Sequence, residues 1–151
     1  MQEEFKKYLI SNAIVSTATM IKVFTLKNFN VHNFEITPEQ FVLLDATYQN
    51  KGLYQRQIGI LLGKDRANVT RLIHILEIME LIIIKEDSIG RRVKRIEITQ
   101  KGKELRDKIF IEIKKIRNVY LKNIDDDELL NCIKTLDKIK NNIPQDIKLA
   151  T

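Results

Sequence analysis

The spacing of apolar residues predicts a chain built mainly from helices. Residues 3–28 contain no Pro or Gly and carry two apolar stripes at helical spacing, which predicts a long helix that must be covered on two sides. After a connection rich in Asn and His, the sequence TPEQ at 37–40 is typical of a capped helix start with Pro at the first helical position. This second helix is expected to run to about Tyr48.

Two helices separated by a tight turn are predicted next. Residues 53–62 give a short helix that buries Ile58, Leu61 and Leu62, with a possible short strand at its start, and Gly63 is expected to end it in the left-handed conformation. Asp65 then caps the following helix. The inward stripe of that helix is predicted to contain Val69, Leu72, Ile73, Leu76 and Met79.

The second half of the chain predicts a hairpin and two more helices. Residues 82–86 and 93–98 are rich in β-branched side chains and flank a loop that contains Gly90, which predicts two antiparallel strands. A helix is expected over 100–123, and a last one follows the acidic cap at 125–128 and stops before Pro144. The fold is therefore expected to be mainly α with a small β-hairpin wing, a winged helix-turn-helix over about 36–99.

The helices outside this core, about 3–28 and 100–143, exceed what a minimal winged helix needs. Their apolar stripes predict a dimerisation layer; the alternative is that they pack on the core of their own chain. No internal repeat or low-complexity linker marks a boundary, so residues 1–151 are expected to form a single domain.

Composition sets limits on the class of protein. Apolar residues make up 44% and charged residues 30% of the 151 positions, which is typical of a soluble domain with a core. No uninterrupted apolar run approaches the roughly 18–20 residues that span a bilayer, and no signal-peptide pattern opens the chain, so a cytoplasmic protein is expected. The single Cys132 is expected to be a buried structural thiol; a redox-sensing thiol would need a basic, accessible setting.

The excess positive charge is concentrated in one part of the chain. Residues 51–103 contain 12 Lys and Arg against 6 Asp and Glu, a balance of +6, whereas the basic and acidic residues elsewhere cancel. Clustered positive charge is expected of a surface that binds phosphates, although a solvated basic face would give the same count.

Four short motifs, taken together and in order, resemble those of one known family. They are Asp65-Arg66-Ala67-Asn68-Val69-Thr70-Arg71, Glu80-Leu81-Ile82, Gly90-Arg91-Arg92 and Ile98-Thr99-Gln100-Lys101-Gly102. On these motifs the chain is similar over nearly its whole length to the MarR (multiple antibiotic resistance regulator) family of bacterial transcription factors. This resemblance implies a homodimer that binds a pseudo-palindromic operator, often as a repressor, and is released by a small amphipathic or aromatic ligand.

Two positions depart from the family pattern. Gly90 stands where the wing tip usually has an Asp, and the sequence leaves open whether Asp87 substitutes for it. Glu80 stands where a Gly usually ends the recognition helix, and it would be strained by up to ~1–2 kcal/mol if the left-handed conformation is kept. We therefore expect a looser wing than usual.

The start of the helix after Asp65 is expected to enter the major groove. Asn68 suits adenine, Arg66 or Arg71 suits guanine or a phosphate, and Thr70 suits a phosphate or a thymine methyl group. Two symmetry-related helices should lie about 34 Å apart. Arg91 and Arg92 are expected in the flanking minor groove, with a solvated arginine as the alternative. The predicted DNA-binding residues are Arg66, Ala67, Asn68, Thr70, Arg71, His74, Arg91, Arg92 and Lys94.

Other kinds of site are less well supported by the sequence. The aromatic residues Phe24, Phe34, Phe41 and Tyr48 are candidates for a ligand cleft, although such residues are more often core. His32 and His74 lack the spacing of metal ligands, so no metal site is expected. The sequence also has no cofactor fingerprint and no catalytic pattern, so we expect neither a bound cofactor nor an enzyme. The main alternative function is a winged-helix protein that acts through protein contacts without reading DNA.

Overall fold

The computed structural model describes residues 2–86 and 94–143, and within these ranges it has six helices and three short strands. The winged helix-turn-helix and both flanking helical segments are present as expected. In chain order the elements are α1 (Gln2–Val31), α2 (Pro38–Gln49), β1 (Leu53–Tyr54), α3 (Gln55–Leu62), α4 (Arg66–Ile78), β2 (Ile82–Glu86), β3 (Lys94–Ile98), α5 (Gln100–Tyr120) and α6 (Asp126–Asn142).

The three strands form one antiparallel sheet in the order β1-β3-β2. Ile96 in the central strand faces Leu53 on one side and Ile84 on the other. The two predicted strands of the hairpin are therefore confirmed, and so is the short strand near Leu53. The loop that joins β2 to β3, which contains Gly90, Arg91 and Arg92, lies outside the described residues.

The core lies where α2, α3, α4, the sheet and α5 meet. The inward stripe of α4 is confirmed, since Val69 and Leu76 are fully buried and Leu72 and Ile73 nearly so. The expectation for Leu61 is wrong, because this side chain is 58% exposed near the end of α3, where it borders an open cleft. Residues with fully enclosed side chains include Leu43, Leu44, Ile58, Leu76, Ile96 and Ile109.

The flanking helices divide into two kinds. Helix α5 buries Ile109, Ile113 and Ile116 in the core of its own chain, as the alternative interpretation of these helices proposed. Helix α6 has no buried residue, and α1 buries only Phe29 among its described side chains. Their apolar side chains are left exposed: Phe5, Leu9, Ile10, Val15, Met20, Val23 and Leu26 on α1, and Leu130, Ile133, Leu136 and Ile139 on α6.

One sequence-based expectation changes because the face of α6 is uncovered. Cys132 is exposed rather than buried, because no other element within residues 2–86 and 94–143 covers α6. The segment Glu4–Val31 of α1 is also long and apolar enough, by length and composition alone, to cross a membrane. The long helix of a protein that packs against a second copy meets the same two criteria.

The end of α4 adopts the motif that usually requires glycine. Glu80 has φ +60°, its N–H donates to Glu77 O, and the N–H of Leu81 donates to Leu76 O at 2.9 Å. The left-handed conformation, which the sequence left open at this position, is therefore adopted by a non-glycine residue. Lys101 at the start of α5 forms an exposed ion pair with the Glu80 carboxylate at 3.3 Å.

The start of α5 is locked against the start of β2. Thr99 caps α5 by accepting from the N–H of Gly102, and its hydroxyl donates to the carbonyl of Glu80 at 2.8 Å. A Cβ at Gly102 would lie 2.1 Å from the carbonyl oxygen of Leu81, so only glycine fits there. The Ile98–Gly102 motif thus joins the sheet to α5.

Candidate nucleic-acid interface

The helix-turn-helix is closed by a left-handed glycine and a capping carboxylate. Gly63 has φ +60° and ψ 39°, and the N–H of Lys64 donates to Gly59 O at 3.0 Å, which ends α3 as the sequence predicts. Asp65 then caps α4 by accepting from the N–H of Asn68 at 2.8 Å. The three-residue turn fixes how α4 is presented relative to α3.

The exposed face of α4 brings five predicted contact residues together. Val69 points into the core, and the side chains on the opposite face surround an open depression of about 600 Å³. Helical spacing places them in two adjacent rows, three or four residues apart. The residues that line the depression are Arg66, Ala67, Thr70, Arg71 and His74.

Asn68 is exposed on the same helix, but its side chain turns back toward the cap. Its Nδ2 donates to Asp65 Oδ2 at 2.7 Å, while its backbone N–H donates to Oδ1. The hydrogen bond from the backbone of Asn68, and then the one from its side chain, lower the pKa of the Asp65 carboxyl below its usual value of 3.8. The Asp65 carboxylate therefore fixes the amide nitrogen of Asn68, whose other amide atom, Oδ1, is a hydrogen-bond acceptor.

Thr70 is tied to α3 by a residue that the sequence did not single out. The hydroxyl of Thr70 donates to Arg66 O at 2.8 Å, and the same oxygen accepts from Nε2 of Gln55, the first residue of α3. The Gln55 Nε2 also donates to Arg66 O at 3.3 Å. Because Gln55 lies 15 residues before Thr70, no local periodicity could have indicated this contact.

The wing contributes less to the described surface. Arg91 and Arg92 lie outside the described residues, and Lys94 is placed only as the first residue of β3, opposite Glu86. The neighbouring Arg95 packs beside β1, with its guanidinium carbon 5.6 Å from the centre of the Tyr54 ring. Its position links the wing to the start of α3.

A second cavity, of about 570 Å³, lies between α1 and the helix-turn-helix. Its apolar wall includes Leu26, Leu61 and Leu62, which explains why Leu61 is exposed. Glu39 lies among its polar groups, with Lys64 Nζ at 3.1 Å and Lys22 Nζ at 3.8 Å from one carboxylate oxygen. Arg71 lines both this cavity and the depression on the exposed face of α4.

None of the four candidate aromatic residues lines this second cavity. Phe41 is 3% exposed and belongs to the core, with Phe24 and Phe34 packed against that core. Phe29 joins them through edge-to-face contacts, with ring centroids 5.1 Å from Phe34 and 6.1 Å from Phe41. For these three residues the structure favours the alternative that they are core.

Tyr48 instead covers a buried arginine. The guanidinium of Arg106 lies between the rings of Tyr48 and Phe110, 4.3 Å and 4.0 Å from their centroids. Its Nε and Nη2 both lie within hydrogen-bond distance of Asp45 Oδ1, and its Nη1 donates to Asp107. Burial alone would lower the pKa of Arg106, but these carboxylates raise it, so the group stays charged. We call this cluster the Arg106 clamp; it joins α2 to α5.

Within the described part of the chain, no group of three or more His, Cys, Asp or Glu residues is placed to hold a metal ion.

Comparison with known proteins gives a consistent set of matches. The sequence profile of the MarR family matches residues 36–93. Two curated relatives from Bacillus subtilis are both HTH-type transcriptional regulators. The uncharacterized regulator YybA is 24% identical over 122 residues, which is 81% of this chain and 81% of YybA. The regulator MhqR is 26% identical over 118 residues, which is 78% of this chain and 81% of MhqR.

The fold also matches solved structures over most of its length. A MarR-family transcriptional regulator from Listeria monocytogenes, solved in complex with a 26mer DNA, is 28% identical and superposes with a TM-score of 0.78. The match covers 89% of each of the two chains. This structural match therefore extends well beyond residues 36–93, the segment that the family profile matches.

Proposed function

We propose that the chain is a transcriptional regulator of the MarR family and that it binds a pseudo-palindromic operator as a homodimer in the cytoplasm. Binding of a small amphipathic or aromatic molecule would release the operator. In this proposal residues 1–151 act as one domain, with about 36–99 as the DNA-binding lobe and with α1 and α6 as the dimer layer.

The observation that carries the proposal is the exposed face of α4. Its small and basic side chains surround one depression, and the helix is held rigidly by the turn at Gly63 and the cap at Asp65. Arg66 and Arg71 are suited to guanine or phosphate, and Asn68 presents an acceptor to an amino group of adenine or cytosine. The major groove, about 12 Å wide, admits such a helix. Arg91 and Arg92 are assigned to the flanking minor groove and Lys94 to the backbone.

The dimer is supported by the uncovered faces of α1 and α6. These helices expose apolar side chains that a single chain leaves in water, whereas α5 is already buried in its own core. A twofold pair would present two copies of α4 to successive major grooves, about 34 Å apart.

The test starts from a duplex selected by the protein from a random-sequence pool. We expect it to bind at least about 10³-fold more tightly than a scrambled duplex at physiological salt. Asn68→Ala should lose discrimination at one base pair of each half-site and keep its affinity for scrambled DNA. Arg92→Ala should weaken both duplexes and reduce the salt slope by about 1.

Lys134→Ala serves as the matched control, since it removes an exposed positive charge from α6, away from α4. It should bind both duplexes as the unchanged protein does. If the protein enriches no sequence from the pool, the alternative is favoured, namely a winged-helix protein that acts through protein contacts.

The ligand is assigned to the cavity between α1 and the helix-turn-helix. Leu26, Leu61 and Leu62 suit the apolar part of an amphipathic molecule, and Lys22 and Lys64 suit its polar part. Since Arg71 belongs to this cavity and to the DNA-facing depression, an occupant could bias the position of α4. A thermal-shift screen of small aromatic acids, repeated on Leu61→Arg, tests the site: a binder should lose its shift in the variant and release the selected duplex from the unchanged protein.

A further inference from the structure

The Thr70 hydroxyl uses its only proton in a hydrogen bond within the protein. A hydroxyl has one proton to donate, and that of Thr70 is donated to the carbonyl of Arg66 at 2.8 Å. The oxygen also accepts from Nε2 of Gln55. Thr70 therefore has no proton left for a DNA phosphate, which removes one of its two expected roles.

The same two hydrogen bonds fix the orientation of the whole side chain. Threonine in a helix divides between two rotamers, because its hydroxyl can reach the carbonyl of the preceding turn in more than one way. The contact with Gln55 from the neighbouring helix is compatible with only one oxygen position, so the methyl group is held in one place as well. Ala67, three residues earlier, lines the same exposed depression and offers a second small apolar surface.

The side-chain hydrogen bonds of Gln55 do not serve to cap α3. Its two Nε2 protons go to Arg66 O and to Thr70 Oγ1, both on α4, and neither bond caps α3. The N–H of Tyr54 at the start of α3 is satisfied by a different residue, Gln57, at 2.9 Å. The side chain of Gln55 thus acts on the DNA-facing helix.

We propose that Gln55 is a positioning residue for sequence recognition: by holding the hydroxyl of Thr70, it orients the Thr70 methyl group, with Ala67, to contact the 5-methyl group of a thymine in the major groove. This inference rests on the proposed function, since it concerns one base of the operator. Apolar contact with the thymine methyl is a direct form of base reading.

Replacing single thymines by deoxyuridine removes only the 5-methyl group, so it tests this contact directly. In the selected duplex, one thymine in each half-site should be sensitive, and its replacement should weaken binding about fourfold, the effect of losing one buried methyl group. Thr70→Ser should abolish this sensitivity. Gln55→Ala should reduce it to about twofold or less, because Thr70 is then free to divide between rotamers.

A double-variant cycle separates orientation from general loosening. Thr70→Val carries two methyl groups and has no hydroxyl to hold, so it should keep the sensitivity. Adding Gln55→Ala to it should then change nothing. Gln57→Ala, which removes a glutamine contact from the same helix without touching Thr70, should keep the fourfold ratio. Gln55→Met, which is close to glutamine in length and can neither donate to Thr70 nor accept strongly from it, should behave as Gln55→Ala does. Thermal unfolding checks that each variant is folded.

The inference is overturned if no thymine of the selected duplex is sensitive in the unchanged protein, or if Gln55→Ala and Gln55→Met keep the full fourfold ratio. It is also overturned if Gln57→Ala removes the ratio equally. These outcomes differ from failure of the proposed function, in which no duplex is enriched at all.

Discussion

At the scale of single residues, the carboxylate of Asp65 makes the stability of α4 depend on pH. Hydrogen bonds from the backbone and then the side chain of Asn68 lower its pKa below 3.8. A depressed pKa stabilises the folded protein above the unfolded value and loses that effect as the pH falls through the folded value. The melting temperature of Asp65→Ala should therefore lie below that of the unchanged protein at pH 5–7, with the gap closing below about pH 4.

Asp65→Asn is the control for this experiment, since an amide can still cap a helix but does not titrate. Since neither variant titrates at position 65, the melting temperature of Asp65→Asn should lie above that of Asp65→Ala by an amount that does not change with pH. A gap for Asp65→Ala that persists unchanged to pH 2.5 would show that the carboxylate is not the cause.

Glu80 is the second residue at which a local rule is broken. It holds the left-handed conformation with φ +60°, and its exposed ion pair with Lys101 is of the kind that contributes little. Glu80→Gly should raise the free energy of unfolding by about 1 kcal/mol in urea titrations, because glycine adopts this conformation without steric strain. Glu80→Ala loses the same ion pair and keeps the strain, so it should give no such gain.

Sequence reasoning succeeded at residues whose role is set by near neighbours. The left-handed position at Gly63 and the cap at Asp65 follow from residues within one helical turn. Gln55 was missed because its partner lies on another helix. Tyr48 was interpreted as a candidate ligand residue because aromatic type alone does not reveal that Arg106 lies beneath it.

At the scale of elements, Gly102 sets how closely α5 approaches the sheet. Its Cα lies where an added Cβ would meet the backbone carbonyl of Leu81 at 2.1 Å and Ile98 Cγ1 at 2.8 Å. Gly102→Ala should lower the free energy of unfolding by roughly 1–3 kcal/mol, the usual effect of overpacking, because a backbone group cannot move aside cheaply. Lys103→Ala, at the next and exposed position, should be nearly neutral in the same urea titration.

The elements themselves were largely predictable, since helical and strand periodicities are local. The limits of α1 and α5 differ by a few residues from expectation: α1 continues to Val31, and α5 ends at Tyr120, shortly before Asn123 adopts φ +64°. The burial of Leu61 and Cys132 was predicted wrongly, because periodicity gives a face of a helix but not whether another element covers it.

At the scale of the whole molecule, α6 offers the clearest test of the dimer. Ile133 is 56% exposed on a helix without a buried residue. Ile133→Asp should shift the protein from dimer to monomer in sedimentation experiments and weaken operator binding, because a charge would be buried at the interface. Ile78→Asp, at an exposed apolar position on α4, should remain dimeric. A dimeric Ile133→Asp would contradict the assignment of α6.

The Arg106 clamp has a consequence for the spacing of the operator. Because the guanidinium is enclosed by Tyr48 and Phe110 and held by Asp45, α2 of the DNA-binding lobe is anchored on α5, and we expect this joint to be stiff. One base pair added between the half-sites turns one of them by roughly a tenth of a helical turn, and a stiff reader cannot follow that rotation. Duplexes lengthened or shortened at their centre by one base pair should therefore bind far less tightly, so the molecule measures distance along DNA as well as reading bases.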